Sequence, residues 1–470
     1  MKAEFFFKCL FWGVWAFVVG VCAYFIVHNA QWCIGDDAII MNHTGSGIPF
    51  LPGDTILPYS GRFYPFAYLI YDLLLLFSKG YITASTHFGI HMVMFLILSL
   101  SFALLFLGGI CKSLQPAWKC SIALFGTFAI SFRLFPDYLN VFSSIWGSYS
   151  LLGVFVLFAW LFHEHRKAIY AVIALLVVNY SQYCLECEFA IPLSMGLGGI
   201  LFLRKQYGRG IWFYWALAGS GLLFLLLYGT VVLPHIKSAY DGAHGTDVSI
   251  ISNAFHMFLG NKIIMLAVLV FVVRMVQLTL RKDTVSFFDN LLLSGLAFTF
   301  VCFILRLNWT MYYNLGAIIV FPAVVFFFLR YLKSPITLAM LLCLVCLYGH
   351  KLPRIINDNQ IKRTGTHKSV ESLVKGYREG KTLYWYSPDA DYDRNIELRN
   401  WKENSLRSYI QWIVRDSSFD FEIRSVFSKD DSGIWFDCPE NDLVAPDREK
   451  PADYGHHFFS SGGINGYLLE

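Results

Sequence analysis

Charge is what this chain has little of. Only 15% of its 470 residues are Asp, Glu, Lys or Arg, against roughly 25% in an ordinary soluble domain, so there is too little charge to clothe the whole chain for water. The balance is also nearly even, 37 basic against 33 acidic residues. The bases are dispersed, which excludes the basic stripe of a nucleic-acid binder. The eleven cysteines include a single C-x-x-C, Cys184 to Cys187, without the second pair or the histidines of a zinc site. Others (Cys22, Cys302, Cys343, Cys346) fall in apolar runs, where a thiol behaves as a small hydrophobe. His235, His244 and His256 share one loop but lack metal-ligand spacing. No fixed-period repeat and no low-complexity tract is present.

Apolar length is what the chain has instead. Hydrophobic residues make up 56% of it, with 44 phenylalanines. A soluble fold cannot hide that much apolar surface, so lipid must serve as part of the solvent. Runs able to cross roughly 30 Å of hydrocarbon fall near 5–28, 87–110, 118–135, 139–162, 168–183, 188–203, 211–233, 262–280, 290–306, 311–332 and 334–350. These predict an all-α polytopic membrane protein with about eleven transmembrane helices. The first run is followed by no small-residue cleavage site, which predicts an uncleaved anchor.

The distribution of charge divides the chain. Just over half of the charged side chains lie in residues 351–470, which predicts a multi-spanning domain over 1–350 and a soluble domain over 351–470. In that tail Lys381–Pro388 and Phe421–Phe427 read as strands and 395–414 as a helix, so a small α/β fold is expected. Within the membrane domain, Lys112/Lys119, Arg166/Lys167, Arg204/Lys205/Arg209, Arg281/Lys282 and Arg330/Lys333 recur after every second run. The positive-inside rule places all five clusters in the cytoplasm. The amino terminus is then cytoplasmic and the carboxy-terminal domain extracytoplasmic. Parity leaves one crossing between 29 and 112. The short run at 63–78, broken by Pro65 and Asp72, is therefore expected to lie along the outer face as a juxtamembrane helix, within a long first external loop, 29–86.

Candidate chemistry gathers on that outer side. Asp36 and Asp37 follow the first span closely, and adjacent carboxylates diverge, so one is expected to serve as a base while the other caps a helix; their separate roles stay open. Arg62, Arg133 and Arg306 are the external-facing arginines, each with a fork suited to two phosphate oxygens. Asp137, Glu186 and Glu188 lie at span ends, where carboxylates are costly and often functional. They are candidates for sugar hydroxyls or for a divalent cation. Arg274, near a cytoplasmic span end, reads as a snorkelling side chain. Asn42-His43-Thr44 and Asn308-Trp309-Thr310 fit the N-glycosylation pattern.

An acidic first external loop, a juxtamembrane segment, many spans and an external tail, in that order, make the chain resemble the GT-C glycosyltransferases that use polyprenyl-phosphate sugars. The resemblance covers the whole chain in architecture and only a few residues in motif. It implies an inverting membrane transferase of the cell envelope, with Asp36 or Asp37 taking the acceptor proton and the arginines stabilising the departing lipid phosphate. The partners it implies are a polyprenyl-phosphate sugar donor, a glycan or lipid acceptor, and the lipid bilayer of the cell membrane. A polysaccharide polymerase or ligase is the competing enzyme reading, but the central loop 234–261 holds no arginine. A lipid-linked-sugar flippase or other transporter would need charges in mid-span, and Arg274 and Asp72 are the nearest.

Overall fold

A computed structural model describes residues 2–30, 56–57, 62–67, 69, 73, 84–140, 143–235, 252, 259–281, 283–304, 310–360, 374, 383–387, 422–425, 443–444, 458–461 and 464–468. Asp36, Asp37, Arg306 and the expected helix at 395–414 lie outside these residues, as does most of 68–83.

Up to residue 350 the described chain is almost entirely helical. Its helices are α1 (Lys2–Asn29), α2 (Ala84–Leu105), α3 (Pro116–Asn140), α4 (Ser143–His165), α5 (Ala168–Gln182), α6 (Ala190–Gly198), α7 (Trp212–Val231), α8 (Lys262–Arg281), α9 (Phe287–Ile304), α10 (Thr310–Tyr331) and α11 (Ser334–Gly349). Eight stretches among the described residues are long and apolar enough to cross a membrane, and α5 and most of α9 are shorter apolar helices. The protein is thus a multi-pass membrane protein, with eight candidate spans by length and composition where the sequence predicts about eleven. The difference has a physical source. Residues Glu186–His235 follow one continuous helical course of 50 residues and count as one candidate, but the chain reverses inside it, at the polar segment 204–210 between two apolar runs. Gly208, with φ +50°, makes the turn that a side chain would strain.

Close packing holds the reversed pair together. A Cβ built at Gly196 would lie 2.7 Å from both the Ala218 Cα and the Tyr214 carbonyl oxygen, and one at Gly221 would meet the backbone of Leu193. Without an aqueous driving force between helices, such small-residue contacts are how they associate. α10 forms the centre of the bundle: Leu315, Ala317, Ile318, Ile319 and Val320 are fully buried. α1 is peripheral, with Phe5, Phe6 and Phe17 exposed on its outer face.

The basic loops meet at one end of the bundle. Lys112 pairs with Glu164 at 3.6 Å, the Arg166 guanidinium lies 3.6 Å over the Tyr207 ring, and Gln206 Nε2 donates to the Val285 carbonyl. Arg330 pairs with Asp283 at 2.8 Å. That end also corrects the reading of Arg274, which does not snorkel but is buried at 1% exposure. Its Nε and Nη2 grip both oxygens of Asp289 (2.6 and 3.0 Å), and its remaining N–H groups reach Asp283, Tyr331 and the Thr284 carbonyl. All five guanidinium hydrogens have partners. Asp289 also closes a capping box, accepting from the Ser286 amide while Ser286 Oγ accepts from the Asp289 amide.

Two boundaries differ from expectation. The helical course resumes at 352–360, beyond the predicted limit at 350. Leu352 and Ile356 pack toward Phe17 and Phe132, while Arg354 and Asp358 pair on the outer face at 3.6 Å. The segment is amphipathic, so the helical course runs ten residues past the last apolar run. At 63–78 the expected helix does not begin at its predicted start: β1 (Ile56–Leu57) pairs antiparallel with β2 (Arg62–Phe63), and residues 65–67 turn. In the tail, β3 (Leu383–Ser387), β4 (Glu422–Ser425), β5 (Leu443–Val444), β6 (Phe458–Ser461) and β7 (Ile464–Leu468) pair in the order β4-β3-β5-β7-β6. β3 runs parallel to β4 and β5, whereas β7 is antiparallel to β5 and β6.

Candidate functional site

The end of the bundle opposite the basic loops collects the polar side chains. α3 delivers Asp137 near its last turn, and its carboxylate is held by two neutral donors: Tyr149 Oη of α4 at 2.9 Å and Asn314 Nδ2 of α10 at 2.6 Å, both on Oδ2. Asn314 is fixed from behind. Its Oδ1 accepts from Asn261 Nδ2 at 3.0 Å, and Asn261 Oδ1 faces the Ile264 amide at 3.4 Å, in the manner of a helix cap for α8. Three helices and one cap therefore converge on one carboxylate.

Arg133 stands one turn before Asp137, on the same face of α3. Its guanidinium lies 5.8 Å from the Tyr348 ring centre, and its charge acts on Asp137. The Arg133 Nε is buried and has no hydrogen-bond partner among the described residues. A buried N–H left without an acceptor is uncommon and calls for an explanation; an anion seated there would supply one.

Glu188 is connected to the same place through α4. It is fully buried, accepts from Ser181 Oγ, and is hydrogen-bonded with Ser148, the neighbour of Tyr149. Ser148 and Tyr149 thus engage the two carboxylates from adjacent positions. Glu186 is half-buried in the same turn, Glu186–Phe189, where its charge acts on Glu188. No three His, Cys, Asp or Glu side chains come together as a metal-holding group among the described residues. Deeper support comes from Tyr138, whose Oη bonds Ser150 Oγ at 2.8 Å, while Ser150 donates to the Met94 carbonyl at 2.7 Å.

The first long loop reaches this turn. The Phe66 amide donates to the Tyr183 carbonyl at 3.0 Å. Tyr180 Oη and Cys184 Sγ both donate to the Phe66 carbonyl, at 3.2 and 3.3 Å. Phe63 is buried against Tyr183 and Phe224. Burial, followed by the nearby Glu188 charge, pushes the Cys184 thiol well above its usual range, so it is no thiolate nucleophile. Arg62 lies in β2, next to this docked segment.

The structure therefore pairs Arg133 with Asp137 and Glu186 with Glu188, links the two pairs through the adjacent Ser148 and Tyr149, and sets the segment after Arg62 against Tyr180, Tyr183 and Cys184, just before the Glu186–Phe189 turn. Asp36, Asp37 and Arg306 belong to the undescribed residues. Sequence reasoning missed Tyr149, Asn261, Asn314, Ser148 and Ser181. Asn314 was the readable one, being the only amide in the apolar α10, where a polar side chain needs a partner. No family model, curated protein or solved structure matches the chain.

Proposed function

We propose that this protein is a membrane glycosyltransferase that moves a sugar from a polyprenyl-phosphate donor to a glycan or lipid acceptor on the extracytoplasmic face. One observation supports the reading most: a buried Arg133 N–H without an acceptor among the described residues lies one turn from the braced Asp137 carboxylate, at the end where residues 63–66 dock. The donor carries the anion that such a guanidinium lacks, and its leaving group is a phosphate held at the membrane surface.

In this account Arg133, with Arg62 and Arg306, stabilises the departing phosphate. Asp36 or Asp37, from the first loop, takes the proton of the acceptor hydroxyl as it attacks the anomeric carbon, and a single displacement inverts that carbon. Asp137 orients Arg133 and, with Glu186 and Glu188, offers acceptors to sugar hydroxyls. In this reading eleven segments cross: the eight candidates, the two shorter apolar helices, and a second crossing from the division of Glu186–His235 into α6 and α7. An odd number puts the two termini on opposite faces, and with the basic loops taken as cytoplasmic the amino terminus lies in the cytoplasm and the tail outside.

The transporter reading loses its main residue, because every N–H of Arg274 is already satisfied within the protein and leaves nothing to offer a passing substrate. The test is sugar transfer by the full chain in nanodiscs, supplied with a labelled polyprenyl-phosphate sugar and a glycan acceptor. Arg133→Gln is expected to lower the rate about a hundredfold, the scale of losing one preorganised donor at a developing charge. Asp36→Asn and Asp37→Asn separate the base from its neighbour. Full activity in both single variants and in the double variant would end the proposal.

A further inference from the structure

On the flank of the bundle, α1, α3 and the helical segment 352–360 enclose a cavity of about 200 Å³. Val21 and Phe25 of α1 form one wall, Phe132 and Phe135 of α3 the second, and Leu352 with Ile356 the third. Every lining side chain is apolar, counting Cys22 as the small hydrophobe that a buried thiol is. The third wall comes close because of Gly349, where an added Cβ would already touch the Phe132 ring at 3.4 Å. On the α1 side the cavity opens toward the bilayer, with Phe17 72% and Val21 40% exposed. Left unfilled, a groove of this size forfeits the dispersion contacts of its walls, and an apolar one takes up hydrocarbon rather than water. It lies in the half of the bundle away from the basic loops, since Phe135 stands two residues before Asp137.

Two observations choose which hydrocarbon. Along α3, Phe132 and Phe135 are three apart and line the groove, whereas Arg133 and Asp137 are four apart and share another face. A chain in the groove therefore does not lead its head group to Arg133. At the rim, Lys351 adjoins Leu352, is exposed, and makes no ion pair among the described residues. Arg354 is 88% exposed, with only a 3.6 Å contact to Asp358. These cations offer partners to a phosphate, on an amphipathic segment of the kind that lies among head groups. We propose that the groove holds one acyl chain of a phospholipid whose phosphate lies at Lys351 and Arg354. The lipid fills the seam between peripheral α1 and the rest of the bundle. The inference goes beyond the transferase reading and does not depend on it.

The test uses the full chain purified in dodecyl maltoside, titrated with phosphatidylglycerol that carries a diazirine in one acyl chain, and illuminated. Saturable cross-linking of a single lipid per chain is expected, on peptides covering 17–25, 132–135 or 352–356. Val21→Trp fills the groove from its exposed wall and should weaken binding about tenfold, the scale of two methylenes losing contact. Leu10→Trp, exposed on α1 outside the groove, should leave binding unchanged. Lys351→Gln combined with Arg354→Gln should weaken it about fivefold. Cross-linking that does not saturate, that misses all three stretches, or that neither Val21→Trp nor the double variant alters would overturn the proposal. So would unlabelled polyprenyl phosphate displacing the probe at a lower concentration than unlabelled phosphatidylglycerol, because the groove would then belong to an isoprenoid chain. If Val21→Trp does not accumulate, the cross-linked peptides and the order of displacement in the unaltered chain decide alone.

Discussion

Asp289→Asn is the sharpest test of how the bundle is held together. Asp289 is 8% and Arg274 1% exposed, and the carboxylate takes two of the five guanidinium hydrogens, at 2.6 and 3.0 Å. Removing one partner of a buried pair typically costs about 3–5 kcal/mol, because the other charge stays behind uncompensated. Asparagine keeps one acceptor oxygen, and Asp283 still reaches Nη1 at 2.5 Å. The expected cost therefore sits at the lower edge, about 3 kcal/mol, or roughly a hundredfold in the folded-to-unfolded ratio. Adding Arg274→Met removes the stranded charge, and Asp283 retains Arg330 at 2.8 Å. The double variant should then recover most of the loss, with a coupling of about 2 kcal/mol. Unfolding by SDS titration in mixed micelles, followed by tryptophan fluorescence, measures all four corners of the cycle. Strictly additive costs, or an Asp289→Asn variant no weaker than the exposed Arg281→Gln, would refute the reasoning.

Gly196→Ala should cost about 1–3 kcal/mol by overpacking, because its new methyl would meet the backbone of α7; Gly219→Ala, with open space around it, should be near neutral in the same titration. Asn314→Leu removes a donor from Asp137 and an acceptor from Asn261, so it should lose about 1–3 kcal/mol and lower transfer at least tenfold. The Asp283 carboxyl is held below its ordinary range, first by the Arg274 hydrogen bond and then by the Thr284 amide. Its contribution is thus present above the unfolded pKa and fades only as pH falls through the lowered folded value. The difference in stability between the unaltered chain and Asp283→Asn, which isolates this carboxylate, should be flat from neutrality down to about pH 4 and shrink below it.

Much of the bundle could be read from hydropathy alone, since each of α2, α3, α8, α10 and α11 nearly coincides with an apolar run. The recurrence of lysine and arginine likewise anticipated which loops share an end. The reversal within Glu186–His235 was legible from the basic cluster Arg204/Lys205/Arg209 between two apolar runs, whereas the glycine contacts that hold the reversed pair together were not, because only packing reveals them. Arg274 was misread because its partner Asp289 doubles as a helix cap; the Ser286-x-x-Asp289 box was visible, but its alignment with a side chain on the preceding helix was not. Asp137, Arg133 and the two glutamates stood out as charges at span ends. The neutral residues that position them carry no charge signal: Tyr149, Asn261 and Asn314 look like ordinary interface residues until three helices bring them together.

The central claim is that the Asp137 end of the bundle and the first loop face the outside while the Arg274 end faces the cytoplasm. Single cysteines placed at exposed His235, near the Asp137 end, at Asp36, and at exposed Lys205 and Arg281, on the basic end, measure it in intact cells with a membrane-impermeant maleimide. The account predicts labelling at 235 and 36, and none at 205 and 281 until the membrane is opened. Labelling at 205, or at only one of 235 and 36, would contradict it.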